Sequence, residues 1–97
     1  MIEIVNLKFY KGECWRVDRG SALGNRFRIR KDGNRDEVIK KYDIWVRGEI
    51  NRGNKVIIDE LNFIKEEEVM EGIIRLGCWC FPLNCHGFIL KRLLENW

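Results

Sequence analysis

The sequence predicts a small α/β domain over residues 1–97, with a three- or four-stranded mixed sheet flanked by about three helices. Three observations predict it. Apolar, β-branched runs stand at residues 2–9 and 73–79, at the two ends of the chain. Helical periodicity fills residues 35–46 and 86–96. Glycines punctuate the boundaries, among them Gly12, Gly33, Gly53 and Gly72. A chain of 97 residues supports one domain with one modest core, and no repeat or linker divides it.

In order, Ile2-Glu3-Ile4-Val5-Asn6-Leu7-Lys8-Phe9 roughly alternates and reads as the first strand. Lys11-Gly12 is a turn signal, and residues 13–18 read as a short second strand. Arg19-Gly20-Ser21-Ala22-Leu23-Gly24-Asn25 follows as a loop with two glycines. Arg26-Phe27-Arg28-Ile29-Arg30 alternates strictly, as a further strand would, before a turn at 31–34. Asn34 is positioned as a helix N-cap, with Glu37 three residues on to complete a capping box. Val38, Ile39, Tyr42, Trp45 and Val46 then form one apolar stripe, which Gly48 or Gly53 ends. A second helix covers about 57–70 with Ile57, Leu61 and Ile64 inward, although Val56-Ile57-Ile58 also fits a strand. Gly72 precedes the strand at 73–79, and the last helix places Ile89, Leu90, Leu93, Leu94 and Trp97 on one side. The first and last strands alternate least, so they are expected to be central, covered on both faces and paired with each other. Such a pairing would bring the loops after each together.

Residues 73–87 hold three of the four cysteines, the only proline and the only histidine. They read as strand, tight loop and helix start. In open α/β sheets the carboxyl end of a strand facing the amino end of a helix is a favoured ligand site. Three chemistries are open to this stretch and its surroundings. Cys78, Cys80, Cys85 and His86 offer zinc-type ligands, but the spacing Cys-x-Cys-x4-Cys-His lacks the usual knuckle. Cys85 at a helix start is expected to have a lowered pKa, with His86 as general acid or base and Asn6 or Asp18 as an orienting group. The loop at 19–25 offers close backbone approach at Gly20 and Gly24, hydrogen-bonding groups at Ser21 and Asn25, and an anion clamp at Arg19. It is neither a Walker loop nor a dinucleotide fingerprint. The plain alternative makes Cys78 and Cys80 buried small apolar residues and 19–25 an ordinary loop. Trp45 and Trp79 are expected in the core, and Trp15 is the tryptophan expected to be exposed.

The net charge of +3 is too small to imply nucleic acid by itself. Its distribution is uneven. Arg16, Arg19, Arg26, Arg28, Arg30, Lys31 and Arg35 crowd residues 16–35, whereas residues 59–71 are acidic. Nucleic acid therefore stays as a partner class resting on the arginines, with steep salt dependence as its signature. No apolar run reaches membrane length and no leader precedes the first strand, so the expected location is cytoplasmic, no membrane partner is expected, and the thiols are expected to be free.

The motifs together resemble a family of small bacterial and phage domains of unknown function, family number 4326. The ending Leu-Gly-Cys-Trp-Cys-x-Pro-x-x-Cys-His-Gly is matched from Leu76 to Gly87 without a break. Ile4-Val5-Asn6-Leu7 is similar to the family's opening strand. Residues 17–27 resemble its Ile-Gly-Arg-Gly-Ser-x-Trp-Gly-Asn-Pro-Phe segment, and residues 32–39 its Asp-Gly-x-Arg-x-Glu-Val-Ile helix start. Leu23 stands where the family has tryptophan, and Arg26 where it has proline. The resemblance supplies landmarks rather than an activity. Its phage context implies host cytoplasm and an anti-defence role.

The expected function is binding, or sequestration, of a nucleotide or nucleotide-derived phosphate between the 19–25 loop and the helix start at 85–87. Its residues would be Asn6, Arg19, Gly20, Ser21, Gly24, Asn25, Arg26, Cys85, His86 and Gly87. One alternative is an enzyme acting on that ligand through Cys85 and His86; another is a zinc-stabilised interaction module, and zinc in that last reading is the one cofactor considered. A core this small gains from added buried surface, so a homo-oligomer is expected.

Overall fold

The computed structural model describes residues 1–97. The elements run β1 (Ile2–Asn6), β2 (Trp15–Arg16), α1 (Arg35–Asn51), α2 (Lys55–Glu71), β3 (Ile74–Cys78) and α3 (His86–Glu95). The domain is α/β, as the periodicities predict. The sheet has three strands in the order β1-β3-β2. Both pairings are parallel, so the expected mixed sheet is corrected to a parallel one. The reason is connection length: α1 and α2 lie between β2 and β3, and such a crossover returns the chain in its original direction.

The pairing of the two terminal strands is as expected, with Ile4 opposite Leu76 and Asn6 opposite Cys78. β3 is central as expected, but β1 is an edge, so the expectation of two central strands is corrected for β1. Alternation sets the faces. Ile2, Ile4, Leu76 and Cys78 enter one core cluster with Leu61, Ile64, Leu90 and Leu94 of the helices. Burying each such aliphatic side chain is worth about 1.5–3 kcal/mol. The opposite face is covered by the segment after β1 rather than by helices. There Arg75 pairs with Glu3 at 3.2 Å and lies over the Tyr10 ring. A Cβ on Gly77 would sit 2.6 Å from Leu7 Cδ2 and 2.9 Å from Cys14 Sγ, so glycine lets that segment lie close.

The helix boundaries follow the signals in the sequence. Asn34 Oδ1 accepts the Glu37 N–H at 2.9 Å, and Glu37 Oε1 accepts the Asn34 N–H at 3.0 Å, a complete capping box. Asn54 caps α2, so Val56-Ile57-Ile58 is helical rather than extended. Gly72 closes α2 with φ of 81°, the left-handed cap that favours glycine. Val38, Ile39, Tyr42 and Val46 are buried along α1, with Trp45 half-buried against them.

Two expectations fail for local reasons. Residues 26–30 form no strand. The Arg28 N–H donates to Asp32 Oδ2 at 2.8 Å, Asp32 N–H returns to the Arg28 carbonyl, and Arg30 takes a left-handed φ of 77°. An aspartate that bonds nearby backbone favours a turn over a ladder. Trp79 is not core either. β3 ends at Cys78, and Trp79 just beyond it is 57% exposed. Trp15, expected to be exposed, is half-buried and donates its indole N–H to Glu60 at 2.9 Å. No helix is long and apolar enough to cross a membrane.

Candidate functional site

In a parallel sheet all strands end on one side, and here the segments after β2 and β3 meet there with the starts of α1 and α3. They enclose a cavity of about 320 Å3. Asp18 and Arg19 come from the segment after β2, and Asn25 from the same loop. Arg35 comes from the first turn of α1. Cys78, Trp79 and Asn84 come from the end of β3 and its loop, and Cys85 and His86 from the start of α3. Phe27 and Ile29 add apolar wall. Arg19, Asn25, Cys85 and His86 thus line one space.

The other residues singled out in the sequence hold the frame. Asn6 donates its side-chain N–H to the Phe81 carbonyl at 2.7 Å and to the Trp79 carbonyl at 3.3 Å, while its Oδ1 accepts the Lys8 N–H. It therefore ties the loop after β1 to the loop after β3. Ser21 bonds the Asp18 carbonyl through its hydroxyl and its N–H, closing a turn. Gly24 is buried where a Cβ would strike the Asp18 carbonyl and Arg19 Cα, the latter at 2.8 Å. Gly20 is exposed, with nothing within 4 Å of a Cβ placed there. A Cβ on Gly87 would meet Cys85 Sγ and Ile4 Cδ1, both at 3.3 Å, so its close approach is to β1. Arg26 lies over the Trp45 ring at 5.4 Å. Leu23, at the position where the resembled family has tryptophan, is 1% exposed and belongs to the core. A side chain there packs the loop onto α1 and does not stack on a ligand.

His86 is buried and its Nε2 lies 2.5 Å from the Val17 carbonyl. A carbonyl only accepts, so Nε2 carries the proton. The Tyr42 ring meets the imidazole edge-on at 5.0 Å. Burial lowers the His86 pKa, opposed by the bond to Val17 and by the charge of Asp18. The orienting group is therefore a backbone carbonyl, not Asn6 or Asp18. Asp18 is held instead by Arg16 Nη2 at 2.5 Å and by the Trp79 indole N–H at 3.0 Å. The Arg16 hydrogen bond, followed by the weaker Trp79 bond, keeps its carboxyl below the usual range against the opposing effect of burial.

The two buried cysteines are the site's least ordinary feature. Cys78 closes β3, Cys85 is the N-cap of α3, and their sulfurs lie 3.3 Å apart. The hydrogen bond with Cys85 lowers the Cys78 pKa below the ordinary thiol value against the opposing effect of burial, with the N–H groups of Cys80 and Phe81 assisting. Cys85 is pushed up by the same bond and by burial. The lowering expected at the helix start therefore falls on the strand end. The helix position does act on Cys85, through the Gly87 N–H, but more weakly than its neighbouring sulfur. Cys80 lies past the strand end and is half-buried, so it is not the fully buried apolar residue that Cys78 is. No group of three or more histidine, cysteine or acidic side chains is arranged to hold a metal ion. The tetrahedral zinc set Cys78, Cys80, Cys85 and His86 is thus not assembled.

The sequence carries Arg35 only within the basic cluster of residues 16–35 and Asn84 only as the residue before the Cys85 helix start. The Arg35 guanidinium donates to the Asn84 carbonyl at 3.1 Å, bridging α1 to the loop before α3. Trp79, expected in the core, lines the cavity because β3 stops one residue before it. Comparison with curated proteins and with solved structures returns no match. The model of the family described as Domain of unknown function (DUF4326) matches residues 6–96, and the chain belongs to that family.

Proposed function

We propose that the domain binds a nucleotide or nucleotide-derived phosphate in the cavity at the carboxyl end of the sheet. The observation that carries this reading is the composition of that one space. Arg19 and Arg35 bring guanidinium donors, Asn25 and Asn84 bring amides, and Trp79 and Phe27 bring ring faces. A volume of about 320 Å3 lies at the lower end of ordinary small-molecule sites, enough for a mononucleotide-sized ligand. The position at the carboxyl ends of parallel strands beside a helix start suits an anionic group. Arg19 and Arg35 would take the phosphate, and the rings would take the base.

Binding is favoured over turnover by the state of His86, whose Nε2 is already committed to Val17. A histidine locked and buried in this way positions the segment after β2 against α3 and has no free partner for proton transfer at that nitrogen. For a phage-encoded member, sequestration of a host signalling nucleotide is the role this reading favours.

The test is thermal unfolding across a panel of mononucleotides, dinucleotides and cyclic nucleotides. A ligand present at a hundred times its Kd adds roughly 2.7 kcal/mol to stability through linkage. For a domain of this size that raises Tm by about 10 °C or more. Arg35→Ala and Arg19→Ala should each remove most of the shift without abolishing folding. Absence of a shift with every phosphate-bearing compound refutes the proposal. A shift that survives both arginine substitutions places the ligand elsewhere and also refutes it.

A further inference from the structure

We propose that Cys78 and Cys85 form a reactive dithiol that reduces small anionic disulfides entering the cavity, with Cys78 as the attacking sulfur and Cys85 as the resolving one. The inference does not depend on nucleotide binding. It begins with placement. Cys78 is fixed by the central strand and Cys85 by the first turn of α3, and both side chains belong to the core cluster. The loop between them is held from outside by Asn6, through the carbonyls of Trp79 and Phe81, and by Arg35, through the carbonyl of Asn84. The 3.3 Å separation of the sulfurs is therefore built by four segments of chain and is not a chance meeting of surface thiols. Closing a covalent bond from there needs a movement of only about 1.3 Å.

Buried cysteines that merely fill space need no sulfur partner. These two have one 3.3 Å away, and the contact lowers the Cys78 pKa while it raises that of Cys85, which favours Cys78 as the attacking sulfur. That is the division of labour a dithiol exchange requires. Cys78 and Cys85, 1% and 2% exposed, are both among the residues lining the cavity that Arg19 and Arg35 also line. A carboxylate-bearing disulfide is drawn into that space, and a folded protein is too large for it. Cys14 is excluded from the chemistry because it lies on the other face of the sheet, against Gly77.

The exchange balances without a further reagent. The Cys78 thiolate attacks one sulfur of the disulfide RSSR, forming Cys78–S–S–R and releasing RS−. The Cys85 thiol gives its proton to that thiolate and attacks the Cys78 sulfur, releasing the second RS−, which takes a proton from water. The protein loses two hydrogens as it closes the Cys78–Cys85 bond, and RSSR becomes two thiols.

The probe is dithiobis(nitrobenzoate), an aromatic disulfide with two carboxylates, added in equimolar amount to the pre-reduced folded chain at pH 7. The expected result is release of two thionitrobenzoate ions per chain, with the protein mass lower by two hydrogens and peptide mapping joining residues 78 and 85. Cys85→Ser should stop at one ion and retain the other half as a mixed disulfide on Cys78. Cys78→Ser should slow the first release by about tenfold or more, as expected when the thiolate is lost. A stable adduct on the wild-type chain overturns the proposal, as does a bridge mapped to Cys14 or Cys80. Reaction only after denaturation overturns it equally, and that measurement needs no variant to fold. Nucleotide-dependent stabilisation takes no part in these readouts, so the two proposals fail separately.

Discussion

Tyr42→Phe removes a single oxygen and tests how the 19–25 loop is held. The Tyr42 hydroxyl donates to the Leu23 carbonyl at 2.6 Å, and both residues are fully buried. Burial pushes the hydroxyl pKa far up, so it remains a donor across the working pH range. No backbone N–H reaches the Leu23 carbonyl. Phenylalanine keeps the ring, and with it the packing against Trp45 and His86. The variant therefore isolates the hydrogen bond from the volume. A buried acceptor left without its donor costs about 1–3 kcal/mol. At roughly 4–8 °C per kcal/mol for a domain of this length, Tm should fall clearly. Urea unfolding should show a lower midpoint with an unchanged slope, since the surface exposed on unfolding is the same. Amide exchange should rise in residues 19–25 before it rises in α1, because Leu23 is the loop's anchor to that helix. An unfolding free energy within about 0.5 kcal/mol of wild type would refute the reasoning, and would mean that water replaces the hydroxyl.

Other expectations follow from the same geometry. Gly24→Ala meets backbone on two sides and should cost about 1–3 kcal/mol, whereas Gly20→Ala meets nothing and should fall within about 0.5 kcal/mol of wild type; chemical denaturation of the pair checks it. His86 is the only histidine, so its ring resonances titrate alone. Burial depresses its native pKa below the ordinary 6.5, so its contribution is complete above that pH and is lost as pH falls through the native value; a native ring that titrates at or above 6.5 contradicts this. Asn6→Ala releases the carbonyls of Trp79 and Phe81 and should cost about 1–2 kcal/mol, with faster proteolysis confined to residues 79–84. Unchanged cleavage there would mean that Arg35 alone holds the loop.

How much could be read in advance varies with the range of the interaction that decides it. The capping box at Asn34 and Glu37, the stripe from Val38 to Val46 and the stop at Gly72 involve residues within one or two helical turns of one another. Their spacing is written directly in the chain, and the three helices follow from it. The cavity was half legible. A glycine-rich loop bearing Arg19 and Asn25, and a helix start bearing Cys85 and His86, are both local patterns, and parallel strands ending on one side bring them together. Arg35 and Asn84 were hidden because their meeting depends on where α1 packs relative to the loop before α3, across 49 residues of sequence.

By itself, then, the sequence determined the α/β class, the helices with their caps and the pairing of the first and last strands. Each rests on a period or a cap that a few neighbouring residues carry. Only the tertiary structure decided that the sheet is parallel throughout, that β3 stops at Cys78 and leaves Trp79 outside, and that the Cys78 sulfur faces that of Cys85. The alternation of a strand names two faces but does not say what covers them. A helix start favours negative charge at its cap, yet a second sulfur 3.3 Å away acts on Cys85 more strongly than that field, raising its pKa and lowering that of Cys78. That contact exists only once the chain has turned back between β3 and α3.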